Sequence, residues 1–224
     1  MATYNVSKTF KWRGDVTDKV ASVCRMFGLT VERLGRQRFI HSCRLKIEAG
    51  DIIYITGPSG AGKSVLLTEL EKAVPEGEKV NLAQIALPDD RTLIDCISTE
   101  ERLTADANLA ECLRFLSVAG LNDCFCILNQ PTNLSAGQQY RFRLAMALAS
   151  SKKIVFADEF CSELDNVTAA VISYRLHKFA KRTDKTFILA SSRDDILTDL
   201  APDVLVVKPL SGPAEVIYKR KRGN

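Results

Sequence analysis

A loop of eight residues between an apolar strand and a helix constrains this chain more than any other stretch. Gly57-Pro58-Ser59-Gly60-Ala61-Gly62-Lys63-Ser64 fits the pattern G-x-x-x-x-G-K-S. Ahead of it, Asp51-Ile52-Ile53-Tyr54-Ile55-Thr56 has the β-branched, apolar character of a buried strand; behind it, Val65-Leu66-Leu67-Thr68-Glu69-Leu70 has helical spacing. Glycines at 57, 60 and 62 permit positive φ, so the loop can turn its amides inward, and the following helix adds partial positive charge at its N-terminus. Such a cradle suits polyphosphate. Lys63 is expected to reach the terminal phosphates, the Ser64 hydroxyl to hold Mg²⁺, and Val65 to continue the phosphate-binding backbone. The alternative is a glycine turn with no ligand.

A phosphate loop is compatible with kinases, GTPases, helicases and transport ATPases, so the accompanying acidic residues decide among them. Lys153-Ile154-Val155-Phe156-Ala157-Asp158-Glu159 is a buried-strand pattern that ends in two carboxylates. Asp158 there is expected to hold the metal through water and Glu159 to polarise an attacking water; the alternative is an ordinary loop start. Leu134-Ser135-Ala136-Gly137-Gln138 precedes this strand and opens a run of helical apolar spacing from Gln139 to Ala149. Ser135 and Gly137 sit at that helix's start, where an anion is favoured. Ser162-Glu163-Leu164-Asp165 follows the strand.

In this combination the chain resembles the ABC ATPase family. Leu134 to Gln138 is similar to that family's LSGGQ signature, with Ala136 in place of a glycine, and Asp158 to Asp165 is similar to its D-E-P-T-S-A-L-D. The resemblance implies ATP and Mg²⁺ as cofactors. It also implies a head-to-tail dimer formed with ATP, in which Ser135, Gly137 and Gln138 of one protomer cap the γ-phosphate on the other's Lys63 while Asp165 crosses the interface. Gln84, followed by Leu87-Pro88-Asp89-Asp90-Arg91-Thr92-Leu93-Ile94-Asp95, looks like the Q-loop, and would touch Mg²⁺ or the attacking water. The family's switch histidine is missing after the strand Thr186 to Ala190, because the two histidines are His41 and His177, the latter expected to be a solvated or capping residue on a helix from Ala169 to Lys181. Arg193, or Ser192, takes that position. An arginine there could stabilise transition-state charge but could not carry a proton, and the alternative is a surface pair with Asp194 or Asp195. Transport members carry an adenine-stacking aromatic 25 to 30 positions before the lysine. That window, Arg33 to Arg38, has no aromatic, and the flanking Phe27 and Phe39 read as core.

Over most of its length the chain resembles more closely a branch of ABC ATPases often fused to, or encoded with, a predicted acetyltransferase domain. Met26-Phe27-Gly28-Leu29 and Leu200-Ala201-Pro202-Asp203-Val204 carry that likeness, together with the motifs already quoted. The expected fold is α/β, a mostly parallel sheet wrapped by helices with a small helical subdomain. We expect a single domain over 1–224, with a basic N-terminal extension and helix at about 1–29 and the helical insertion at about 87–133. The N-terminal helix is read from Asp15 to Gly28, with Val16, Val20, Val23 and Phe27 on one side. The short stretch between Lys63 and Gln84 leaves little room for the antiparallel strands that transporter subunits usually have there, and the insertion is too short for long coiled-coil arms.

At 224 residues, 46% hydrophobic, the chain can bury a full α/β core. No apolar run reaches the ~20 residues of a membrane helix and no signal-peptide core opens the chain, so no membrane insertion and a cytoplasmic location are expected. Seven cysteines without C-x-x-C pairs read as reduced, mostly buried thiols. The net charge is +4; Lys219-Arg220-Lys221-Arg222, and Lys8, Lys11 and Arg13 around Trp12, make a nucleic-acid backbone one candidate partner, against solvated ends. The sequence thus leads to an ATPase that transmits a conformational change to an unknown protein partner. Its alternatives are the ATP-binding subunit of a membrane transporter, a nucleic-acid-associated ATPase, and a slow nucleotide switch.

Overall fold

The computed structural model describes residues 2–36, 38–97 and 105–219. The strands are β1 (Ala2–Lys11), β2 (Arg38–Ile47), β3 (Ile52–Thr56), β4 (Lys79–Asn81), β5 (Ile154–Ala157), β6 (Thr186–Ala190), β7 (Val204–Val207) and β8 (Glu215–Tyr218). The helices are α1 (Asp18–Met26), α2 (Val31–Arg36), α3 (Lys63–Lys72), α4 (Leu93–Cys96), α5 (Ala105–Val118), α6 (Cys124–Ile127), α7 (Ala136–Ala149), α8 (Asn166–Arg182) and α9 (Leu197–Leu200).

Six strands form one sheet in the order β4-β5-β6-β3-β7-β8, parallel except for β8. Alternation sends successive side chains to opposite faces, which divides the core in two. Ile52, Tyr54, Val155, Ala157, Phe187 and Leu189 face a cluster built with α5, α7 and α8. Ile53, Ile55, Phe156, Ile188, Val204 and Val206 face the other way, onto Leu66, Leu67 and Leu70 of α3. The far side of α3 is covered by an antiparallel hairpin of β1 and β2, with Val6, Cys43, Leu45 and Ile47 in the same cluster. The helix that carries the phosphate loop is therefore clamped between two sheets.

The N-terminal stretch read as a basic extension is instead strand β1, ten residues in register with β2 from Ala2↔Ile47 to Lys11↔Arg38. The antiparallel strands thus precede the phosphate loop, and the segment from it to Gln84 holds α3, two 3-10 turns and the single strand β4. The helix expected at 15–28 is shorter, Asp18–Met26, capped by the Thr17 hydroxyl accepting from the Val20 amide. Its apolar side is not a core face: Cys24 is buried, whereas Val16, Val23 and Phe27 are exposed on a helix that lies in the connection between β1 and β2. Phe27 thus departs from its core expectation, while the side chain of Phe39 and residues 220–224, including Arg220, Lys221 and Arg222 of the terminal basic cluster, lie outside what is described. All seven cysteines are free thiols, five of them buried. His177 lies on α8 with Nδ1 3.0 Å from the Leu200 carbonyl, at the end of α9.

Candidate functional site

Four parallel strands, β4, β5, β6 and β3, end at one edge of the sheet, and the loops that leave them carry most of the expected residues. Gly57 to Gly62 link β3 to α3. Gly57 has φ +144, and a Cβ on it would lie 2.1 Å from the Lys208 carbonyl, so β7's continuation presses directly on the loop. Gly62 is the N-cap of α3 with φ +93 and no side-chain cap, which leaves the helix's first amides to a ligand. A Cβ at Gly60 would meet nothing within 4 Å, so the cradle is open there; Pro58, Ser59 and Ser64 are exposed, Ala61 buried and Val65 half-buried. Lys63 is 6% exposed, and its ammonium donates to the carbonyls of Gly57 (2.9 Å) and Pro58 (3.1 Å), folded across the loop that a phosphate would share with it.

The Asp158–Glu159 pair follows β5. Asp158 is half-buried and its carboxylate accepts from the Glu159 amide at 3.0 Å, while Glu159 is exposed. Glu159 has φ +49 and Cys161 φ +57, both in the left-handed region that costs a side-chain-bearing residue energy. The strained turn is held by Phe160, whose amide donates to Ala190 of β6 at 2.8 Å, and by the hydroxyl of half-buried Tyr140, which accepts from the Cys161 amide. Burial pushes the Cys161 thiol up to about 12, so it stays protonated in the core. Gln84 ends the short turn after β4; its amide donates to Glu71 of α3 at 3.3 Å, beside Asn81, which donates to the same carboxylate. The phosphate-loop helix thereby holds the glutamine. Ser64, Asp158 and Gln84 supply a hydroxyl, a carboxylate and an amide oxygen, a donor set that suits Mg²⁺. With the open, uncapped loop these residues fit a Mg²⁺–nucleotide.

Ser135 caps α7: its hydroxyl accepts from the Gln138 amide and its own amide donates to the Gln138 side chain at 2.9 Å, a reciprocal capping box. Gly137 lies in the first turn, where a Cβ would stand 3.4 Å from Leu164, so the signature packs on the loop that follows Glu159. Asp165 caps α8 by accepting from the Thr168 amide, and hydrogen bonding from the Thr168 side chain first and its amide next holds its carboxyl below the usual range.

The Arg193 guanidinium turns onto the neighbouring loops. Its five donors are all engaged: two on the carboxylate of Asp195 (3.0 and 2.6 Å), two on the carbonyls of Cys161 and Leu164, and one on Asn166 (2.7 Å). Of the alternatives read from sequence, the pairing with Asp195 is the one present. The backbone of that loop is tied to β3, since Tyr54 donates to the Arg193 carbonyl at 2.6 Å and Thr56 to Asp194 at 2.7 Å. Ser192 is exposed.

Two residues at this edge were not singled out by the sequence. Phe10 of β1 is 43% exposed and meets His41 of β2 edge-on at 5.7 Å, and the His41 ring covers Gly62. An aromatic therefore packs on the ring that covers the loop. It falls outside a window counted back from Lys63 because residues 12–37 intervene between β1 and β2.

Residues 40–162 match the family described as ABC transporter. The chain is 31% identical over 196 residues to a methionine import ATP-binding protein of Streptococcus agalactiae, covering 73% of this chain and 54% of that protein. It is 27% identical over 217 residues to the same kind of protein from Mannheimia succiniciproducens, covering 84% and 61%. The chain thus spans somewhat over half the length of these curated relatives. Among solved structures, a dimeric bacterial ABC transporter cassette, MJ0796, superposes with TM-score 0.64 at 20% identity, over 84% of this chain and 94% of that one. A post-hydrolysis form of the same cassette bound to ADP and Pi gives TM-score 0.67 at 19% identity, over 98% of both. The matches support the family at large and do not single out the acetyltransferase-associated branch.

Proposed function

Because the chain belongs to the ABC transporter family, whose ATP-binding domains are Mg²⁺-dependent ATPases, we propose that it is the ATP-binding subunit of a membrane transporter. The observation that carries this reading is an exposed apolar cluster on the helical insertion, on the side to which the Gln84 loop leads. Phe125 is 86% exposed and Leu128 59%, although both lie at α6, which packs on α4 directly beyond the Gln84 loop. The loop is tied in at both ends, Arg143 of α7 donating to the Ile85 carbonyl and the Leu93 amide to Asn129. A change at Gln84 is thus transmitted to a face suited to an apolar segment of a membrane protein. The curated relatives, named as methionine import ATP-binding proteins, favour this reading over the acetyltransferase-associated branch and over a nucleic-acid-associated ATPase. Lys8, one of the basic residues around Trp12, is partly engaged with Glu69 at 3.8 Å.

In this reading Lys63 and the amides of Gly57 to Val65 hold the phosphates, Ser64, Asp158 and Gln84 the metal, and Glu159 the attacking water. Ser135, Gly137, Gln138 and Asp165 act across a head-to-tail homodimer, Phe10 offers a face to the base, and Arg193 orders the loop carrying Asp165. Bound Mg²⁺ supplies charge neutralisation on the phosphates; the chain supplies position and exclusion of water. The test compares the wild type with Glu159→Gln for ATP turnover and for size in Mg-ATP, together with disulfide trapping from Phe125→Cys in native membranes. Loss of turnover with an ATP-dependent dimer is expected, along with trapping to an integral membrane protein. Turnover unaffected by Glu159→Gln would remove the catalytic assignment, and trapping only to non-membrane proteins would remove the transporter reading.

A further inference from the structure

His41 is a buried histidine with no hydrogen bond to its Nδ1, at 8% exposure. Buried polar atoms are rarely left without a partner, and each such orphan costs energy. This one does not face the interior of the core. Nδ1 and Cε1 both lie 2.3 Å from where a Cβ on Gly62 would stand, so the ring rests on the phosphate loop at the uncapped start of α3. Phe10 packs on the ring from β1. The orphan nitrogen and the unclaimed helix amides therefore sit side by side.

We propose that His41 is a nucleotide-binding residue, whose Nδ1 takes a proton from solvent when a phosphate ester fills the loop and then donates it as a hydrogen bond to a phosphate oxygen. The proposal rests on the nucleotide reading of the loop.

The surroundings explain why the ring waits in its neutral form. Burial lowers its basicity first and the nearby Lys208 ammonium next, while a hydrogen-bonding contact with the Ala61 backbone acts in the opposite sense. The charges around it are mostly positive. Lys208, 1% exposed, follows β7 and is pinned to the carbonyls of Pro209 and Gly212. Lys63 adjoins Gly62, and Lys8, the register partner of His41 on β1, has Glu69 of α3 at 3.8 Å. A polyphosphate reverses that balance. An opposite charge within a few Å favours the charged form of a titrating group, and the imidazolium then gains an acceptor for the nitrogen that has none.

The chain has only two histidines, so ring-proton NMR gives two resonances, and the one lost in His41→Gln identifies His41. The His41 midpoint is expected to rise by roughly one pH unit or more when Mg-ADP saturates the protein, while the His177 midpoint stays in place. Calorimetry on the same samples reports binding. His41→Gln, which keeps a polar side chain but cannot take a charge, is expected to bind Mg-ADP more weakly, with a deficit that grows as pH falls from 8 to 6. Mg-ADP binding with an unmoved His41 midpoint would overturn the proposal and leave the nucleotide site intact. A deficit equal at every pH would assign His41 a packing role and overturn it too. Absence of any Mg-ADP binding would remove both readings together.

Discussion

Replacing Arg193 by lysine separates its two readings, a phosphate-facing switch and a clamp on its neighbour loop. Lysine keeps the charge but loses the planar fork, and cannot hold Cys161, Leu164, Asn166 and Asp195 together. Four elements of the fold meet in that fork: the strained turn after β5, the Asp165 cap, α8 and the loop after β6. A hydrogen bond from a charged donor contributes about 1.5–3 kcal/mol, and the Asp195 pair, with its carboxylate 44% exposed, is discounted toward the surface value. Losing two of the three contacts to 161–166, with partial replacement by water, costs about 2–3 kcal/mol of local order, which is roughly 30- to 150-fold in the opening equilibrium. The turn is poised to respond, because Glu159 and Cys161 hold positive φ only while the surroundings impose it. The amides of Ser162 and Leu164 donate to Glu159 and Cys161, so hydrogen exchange followed by mass spectrometry reads the opening directly, without nucleotide. In Arg193→Lys those amides are expected to exchange tens of times faster, while the β3 and β6 amides keep their rates. Unchanged exchange in 161–166, with ATP turnover lost, would mean that Arg193 works on the phosphate and that the clamp is incidental.

Gly57→Ala places a Cβ 2.1 Å from a backbone carbonyl that cannot swing aside, at φ +144, and is expected to lower the unfolding midpoint as well as abolish nucleotide binding; an unchanged Tm would refute the contact. Leu66→Ala opens a cavity where α3 is clamped between the sheet and the hairpin, and is expected to cost about 2–5 kcal/mol in urea unfolding. Lys185 donates to the carbonyls of Ala147, Leu148 and Ser150 at the end of α7, and burial pushes its ammonium down to about 8. The unfolded chain then binds more protons between that value and the ordinary lysine range, so this group makes stability rise with pH across that window. Urea midpoints at pH 7.5 and 9.5 should show a smaller rise in Lys185→Met than in the wild type.

What the sequence made legible follows the range of the interactions involved. The phosphate loop and the Asp158–Glu159 strand end are local: each is a strand and its own turn, and the residues that define them are neighbours in the chain. The hairpin is not local. β1 buries only Val6 fully, with polar Thr3, Asn5, Ser7 and Thr9 alternating along it, and its partner begins after the whole of 12–37, so neither pattern nor spacing announces a strand pair. The same intervening stretch takes Phe10 out of the window 25 to 30 positions before Lys63. Arg193 marks another boundary: Asp194 and Asp195 stand beside it in the chain, whereas Cys161, Leu164 and Asn166 come within reach only because β5 and β6 are adjacent strands. His41 stands at the far end of this scale, since a single histidine in a β-strand carries no pattern, and its position on Gly62 depends on α3 being clamped under the hairpin. The motifs therefore state which chemistry the chain is built for, while the residues that orient and tune it are distributed through packing between segments far apart in sequence. Arg193 is one of them, its permanently charged fork tying the loop of Asp165 to the loop after β6. In the proposed reading that fork couples loop order to catalysis, so substitutions at Arg193 should alter dimer formation and turnover together.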